Sequence, residues 1–411
     1  MRIKQGRLKQ IVLAAAGLVF MQAAAAADLF TVTGTVSGLS SETRSFGLSS
    51  AEDVFNFPRF ESLHTRFGNY TGVEAAAMHI DFRGLPMVVS YPVAESSLLV
   101  LHVPDLNIHE EFHGATREES RRAFSDFMKK NGGGILNRIM KRLVAESAND
   151  PIAGNPNSLM GQMVANDFAN GFTSLVSNAG TKEDNASNLI GIGARVSSIK
   201  QDGLRNTSVT IPLSYTIRSD IDPRRQLIFN LPLTYTSVES AKAYNLGFGV
   251  AYRLPINDEW TITPSAGYGA TGSKDLGAYG QAVSAALTSA YVISGSGYDI
   301  AIGNMVGIYK TLKLEAGGYS YNPDIQNLVF RNGVMFSQPV NVFGRKMSIE
   351  YSLIDTRYTG TKLYNEGYDE IGVTLGTNKN ASSARSFLRA GATYLFSPRS
   401  KGFTLNLGYW F

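Results

Sequence analysis

One stretch of this chain has the residue types and spacing of a catalytic metal site: His109-Glu110-Glu111-Phe112-His113 satisfies H-E-x-x-H. On a helix, histidines four apart share a face and can hold zinc, and the glutamate beside the first activates a water molecule. In that arrangement Glu110 is the general base, His109 and His113 are ligands, and Glu146, on a later segment, is the carboxylate that completes the set. The surroundings weigh against it. Pro104 and Gly114 bracket the stretch and leave about two helical turns at most. No third histidine follows at a metalloprotease spacing, and a five-residue pattern with two free positions is weakly specific. The expectation is a surface loop cluster with no catalytic residue, metal or cofactor. A zinc hydrolase is the alternative.

Composition removes other chemistry. The chain has no cysteine, so disulfides, thiolate ligands and cysteine nucleophiles are excluded. Gly132-Gly133-Gly134 lacks the Lys and Ser/Thr of a phosphate loop and reads as a hinge. A net charge of +4 without a basic block gives no reason to expect a nucleic-acid partner.

The elements that would position these residues form a small α+β domain over residues 28–155. Glu74–Phe82, Pro86–Tyr91 and Ser97–Val103 read as strands. Thr116-Arg117-Glu118-Glu119 is a capping box that opens a helix to about Lys130. A second helix over Ile135–Glu146 has Ile135, Ile139, Met140 and Leu143 on one stripe and Arg138, Lys141 and Arg142 opposite. That basic face reads as solvated, with anionic lipid as the alternative contact. Residues 29–72 show no clear period. Residues 156–187 comprise a third amphipathic helix, about 158–176, with Leu159, Met163, Phe168 and Phe172 on one side, and a polar linker.

The N-terminus has Arg2, Lys4, Arg7 and Lys9, an apolar run Ile11–Phe20, and Ala25-Ala26-Ala27 before Asp28. That pattern predicts a cleaved signal peptide over residues 1–27. No later stretch approaches the ~18 consecutive apolar residues of a spanning helix.

From Asn188 to the end the texture changes to alternation. Val209, Ile211, Leu213, Tyr215 and Ile217 take every second place, as do Leu227, Phe229, Leu231, Leu233 and Tyr235. The final segment does the same with Phe403, Leu405, Leu407, Tyr409 and Phe411, leaving Thr404, Asn406 and Trp410 for the other face. Period two with long segments and aromatic ends puts one face in lipid and one in a wet lumen. Soluble sandwich strands are nearer ~5–6 residues. Arg218, Arg253, Glu315, Glu350, Glu370 and Arg389 are the charged lumen candidates. Thirteen alternating segments can be counted. A single-chain bacterial barrel needs an even number, so twelve strands are expected and fourteen is the alternative. The weakest segments are Asn188–Ser198 and that around Tyr309–Thr311. Pro212 and Pro232 interrupt near-repeats, I-P-L-S-Y-T and L-P-L-T-Y-T. They are expected to face each other across a hairpin and mark a bulge.

The C-terminal strand resembles that of Gram-negative outer-membrane β-barrels, in which such residues are the assembly signal. With the helix before it, the stretch of about 158–411 resembles the autotransporter β-domain, and more closely its solitary form, since no long repetitive passenger precedes it. The resemblance implies a mainly β chain: a transmembrane antiparallel barrel over 188–411 with a helix threading its pore. It implies residence in the outer membrane among lipid and lipopolysaccharide, and assembly by periplasmic chaperones and the barrel assembly machinery. The role it implies is a porin-like pore, a translocation conduit or a structural or adhesive surface scaffold. The domain of residues 28–155 would be a short passenger, a plug or a periplasmic module. Barrel enzymes of the outer membrane use a histidine on the barrel. All five histidines here, His64, His79, His102, His109 and His113, precede it.

Overall fold

The computed structural model describes residues 28–38, 41–130, 134–173, 188–316, 319–377 and 387–410. The expected signal peptide, Gly132 and Gly133 of the expected hinge, the end of the third helix as expected (174–176), the polar linker and Phe411 lie outside these residues.

Alternation in β1 (Phe30–Ser37) puts Phe30, Val32 and Val36 fully inside the N-terminal domain. With β2 (Ser41–Leu48), β3 (Ala75–Phe82), β4 (Leu85–Tyr91), β5 (Leu99–Val103) and β6 (Ile108–Phe112) it forms an antiparallel sheet in the order β2-β1-β3-β4-β5-β6. The stretch without a clear period, 29–72, holds β1, the polar edge strand β2, and two short helices, α1 (Ala51–Asn56) and α2 (Phe60–Arg66). Phe57, Leu63 and Phe67 from this stretch are buried in the core. Helix α3 (Arg117–Lys129) starts at Thr116, whose hydroxyl accepts from the Glu119 N–H at 3.2 Å. The Glu119 carboxylate reaches back one residue further than a capping box requires, to the Ala115 N–H at 2.8 Å. Helix α4 (Ile135–Glu146) buries its apolar stripe. Its basic side stays exposed or half-exposed while making local contacts: Arg138 donates to the Leu106 carbonyl, Arg142 pairs with Glu146 on the same helix at 3.2 Å, and Lys141 donates to the Asp324 carbonyl at 3.2 Å.

The barrel has twelve strands: β7 (Leu189–Gln201), β8 (Leu204–Arg218), β9 (Gln226–Val238), β10 (Ala241–Pro255), β11 (Trp260–Ser273), β12 (Ala278–Gly295), β13 (Tyr298–Leu312), β16 (Gln326–Val342), β17 (Arg345–Gly360), β18 (Gly367–Thr377), β19 (Phe387–Phe396) and β20 (Ser400–Trp410). Each pairs antiparallel with its successor, and β20 closes on β7 with Phe403 opposite Ser198. The weak segment Asn188–Ser198 lies in β7. The weak segment around Tyr309–Thr311 is not a strand of its own but the last turn-side part of β13, which ends at Leu312. Leu314 starts β14 (Leu314–Ala316), which pairs with β15 (Tyr319–Tyr321) in a hairpin separate from the barrel. Glu315 sits on this hairpin, exposed and 2.7 Å from Lys313. It is therefore not a lumen residue; the alternation continued past a strand end.

Outward positions carry the apolar residues. Phe403 is 63% exposed, Leu405 44% and Tyr409 36%, with Phe248, Leu353, Ile371 and many others on the same face. An apolar surface of this extent around a closed barrel fits lipid. Among the described residues no helix is long and apolar enough to cross a membrane.

Pro212 does lie opposite Pro232, but no bulge accompanies them. The registers β7–β8 and β9–β10 are the same on either side of the gaps they cause. The gaps fall on the outer partners of the two prolines, where the missing donors belong. Glycine meets each ring: a Cβ at Gly193 would lie 3.1 Å from Pro212, and one at Gly247 2.8 Å from Pro232.

Candidate functional site

The H-E-x-x-H stretch does not form a metal site. Residues 108–112 are a strand, so His109 and Glu111 point to one face and Glu110 to the other. The supposed base and first ligand thus lie on opposite sides of a sheet. Glu111 sits between the rings of His109 and His113, at 3.5 and 3.2 Å, all three exposed. Glu146 is engaged by Arg142. Among the described residues no group of three or more His, Cys, Asp or Glu is placed to hold a metal. The cluster belongs to an edge strand where a loop was expected.

The barrel lumen is where polar and charged side chains converge, and a helix organises it. Helix α5 (Leu159–Phe168) starts at Ser158, whose hydroxyl accepts from the Gly161 N–H, and continues as one π turn, Ala169–Thr173. Its sequence is amphipathic, but the polar side meets the barrel wall in place of water. At the entry, Asn157 donates to Asn206 at 2.9 Å. Next, the Thr234 hydroxyl donates to Gln162 at 2.7 Å. At mid-lumen the Asp167 carboxylate accepts from Ser284 at 3.0 Å and from Tyr309 at 2.9 Å. At the exit Asn230 donates to Asn170 at 2.8 Å, and Arg253 donates to the Asn170 carbonyl at 2.5 Å. An arginine on the last helical carbonyls satisfies an orphan acceptor and complements the negative end of the helix dipole.

The apolar side of the helix explains two wall glycines. A Cβ at Gly303 or Gly333 would lie 2.3 or 2.8 Å from the Phe172 ring, so the ring seats only where a side chain is missing. Around Phe168 and Phe172 the lumen is packed, with Ala290, Ala301, Met305 and Ile354 buried.

The rest of the lumen is open and charged. A cavity of about 310 Å³ lies against strands β7–β10 and β16–β20, with Arg195, Arg253, Arg331, Arg389 and Glu370 on its wall. Arg331 pairs with Glu370 at 2.5 Å, donates to Thr356 at 2.6 Å, and stacks on Phe168 with its guanidinium 5.2 Å from the ring. Arg389 pairs with Glu350, which is 2% exposed. Arg218 is buried, within electrostatic reach of Arg253. Of the expected lumen residues, Arg253, Glu370 and Arg389 line this cavity, and Thr404, Asn406 and Trp410 of β20 line it too. Arg195, Arg331 and Asp167 were not singled out from sequence. Arg331 follows outward-facing Phe330, and Arg195 comes three places after outward-facing Ile192, so period two was the available signal.

The N-terminal domain covers the rim at which α5 enters. The Ala51 N–H donates to the Asp275 carbonyl at 2.8 Å, the Asn322 N–H to Asn137 at 2.7 Å, and the Tyr364 N–H to the Val144 carbonyl at 2.8 Å. Arg83, at the β3–β4 turn, donates to the Leu276 carbonyl at 3.1 Å and pairs with Asp150 at 2.5 Å, both side chains almost fully buried. Asp150 also accepts from the Ile152 N–H at 2.8 Å. One ion pair therefore ties the domain, the segment leading into the helix and the barrel rim.

No protein-family model matches the chain, and no curated protein matches it. Solved structures do. The β domain of the Bordetella autotransporter BrkA aligns at 13% identity with a TM-score of 0.43, over 55% of this chain and 99% of that one. The translocator domain of autotransporter NalP from Neisseria meningitidis aligns at 13% identity and TM-score 0.43, over 62% and 96%. An outer membrane channel from Pseudomonas putida F1 aligns at 14% identity and TM-score 0.38, over 56% and 96%.

Proposed function

We propose that this protein is a helix-threaded barrel of the outer membrane that anchors the domain of residues 28–155 and displays it on the cell exterior, a surface scaffold of autotransporter-like build. The observation that carries the reading is the direction of α5. It enters the lumen beside Asn206, next to the β7–β8 turn, and leaves beside Arg253, at the rim where β7 begins and β20 ends. The domain therefore stands at the rim opposite the end of the C-terminal strand. The longest described connection, residues 313–325, is on the domain's rim. Longer loops belong to the outer side of such barrels and short turns to the periplasmic side. A lumen crossed by a wall-bonded helix favours an anchor over a wide pore.

The absence of cysteine makes the test direct. Arg44→Cys places one thiol on the domain and Phe343→Cys places one at the opposite rim, where Phe343 is fully exposed. A membrane-impermeant maleimide should label the first on intact cells and the second only after the outer membrane is permeabilised. The reverse pattern overturns display and makes the domain a periplasmic cap.

A further inference from the structure

The half of the lumen that α5 leaves open has an unbalanced wall. Four guanidinium groups reach the cavity, those of Arg195, Arg253, Arg331 and Arg389, against one lining carboxylate, Glu370. Counting Glu350, which lies behind Arg389, still leaves an excess of two positive charges. The four arginines are not equally committed. Arg331 and Arg389 each have a carboxylate partner, and Arg253 holds the helix end. Arg195 donates no hydrogen bond to the described residues and senses Glu370 and Arg331 only through space. The Nε of Arg331, a residue 4% exposed, also has no partner. A buried donor such as this Nε is costly unless something accepts from it, and Arg195, only partly buried, lines the same cavity. A cavity of about 310 Å³ is at the lower end of ligand-site volumes and holds roughly ten waters' worth of liquid.

We propose that this cavity is a binding site for a small oxyanion, a phosphate or a carboxylate-bearing solute, held by Arg195. Guanidinium is the side chain best matched to both, through paired N–H donors. Arg331, Arg389 and Arg253 supply the surrounding positive potential, and Thr404 and Asn406 offer hydrogen-bonding groups on the adjoining wall. The site stands whichever compartment holds the N-terminal domain, since all its residues lie in the barrel.

The test is isothermal titration of the full chain in uncharged detergent at low salt with inorganic phosphate, with succinate, and with glycerol as the neutral control. Saturable, near-stoichiometric binding of at least one anion, with none of glycerol, is expected. Phosphate alone would define a tetrahedral-oxyanion site and succinate alone a carboxylate site. Arg195→Gln should weaken binding by about tenfold or more. Arg195→Lys keeps the charge but loses the fork, and should weaken it less. Arg224→Gln, in the β8–β9 turn, should change nothing. Heat-modifiable gel mobility checks that each variant forms a barrel. The proposal is overturned if neither anion binds the unaltered protein, or if Arg195→Gln and Arg195→Lys both bind as tightly as it does.

Discussion

The N-terminal sheet and the barrel are written in the same period and read in opposite directions. In β1 the alternate residues Phe30, Val32 and Val36 are completely buried, and in β20 the alternate residues Phe403, Leu405 and Tyr409 are exposed. Alternation states only that the two faces meet different media. In the domain the second medium is water, and the apolar face must find other protein. In the barrel it is lipid, and the polar face turns inward, where α5 and the lumen arginines satisfy it. The two regions should therefore respond differently to the same kind of change.

The junction between them should be the most sensitive point. Asp150→Ala leaves the Arg83 guanidinium buried without its carboxylate, a change that costs about 3–5 kcal/mol where one partner of a buried pair is removed. Urea unfolding of the full chain in micelles should show the domain melting earlier, with the barrel still heat-modifiable on gels. Equal loss from both regions would mean that they fold as one unit and that the contrast is only descriptive. Next comes the lipid face. Phe248, at the middle of β10, points outward at 49% exposure. Phe248→Arg should destabilise the barrel by about 2–4 kcal/mol in a bilayer, the cost of an arginine near the midplane. A neutral result would place that surface against water. Smaller again is the helix-to-wall bond: Tyr309→Phe removes one donor from Asp167 and should cost about 1 kcal/mol. Faster labelling of a cysteine placed on α5 would check that the helix has loosened.

How much of this was legible depended on whether the medium could be inferred along with the period. Helix α4, expected from Ile135 to about Glu146, was readable because Ile135, Ile139, Met140 and Leu143 make one stripe and solvent or protein must cover the rest. The twelve-strand barrel and its closure by β20 were readable because long alternating segments repeat. Residues 29–72 were not, because β2 is a polar edge strand and α1 and α2 are under two turns long. Glu315 was misplaced because alternation does not mark where β13 leaves the membrane. The H-E-x-x-H stretch, expected as a surface loop, is a strand because Ile108 and Phe112, both buried, pin it to the sheet. In the lumen, Asp167 and Gln162 fall on the polar side of α5. Only the closed wall around α5 makes them bonding groups.

The smallest effect separates the regions by pH. In the domain the Glu74 carboxylate accepts from the Thr71 hydroxyl at 2.6 Å and from the N–H groups of Thr71, Gly72 and Val73 at 2.7, 3.2 and 3.3 Å. Burial by itself would raise its pKa, but these hydrogen bonds outweigh it and hold the group at about 2 against an ordinary 4.5. A carboxyl whose folded pKa is depressed contributes stability that is complete above its unfolded pKa and is lost as pH falls through the folded one. The window is therefore pH 4.5 down to about 2. Screening by nearby solvent keeps the contribution to roughly 1 kcal/mol or less. Urea melts of the full chain at pH 6 and pH 3, compared between the unaltered protein and Glu74→Gln, should show the stability gap of the domain transition narrowing with acid. The barrel transition should not distinguish the two proteins at either pH, because Glu74 lies in the domain's own turn before β3. A gap that stays constant from pH 6 to 3 would mean that the four donors hold the protonated carboxyl as well as the ionised one.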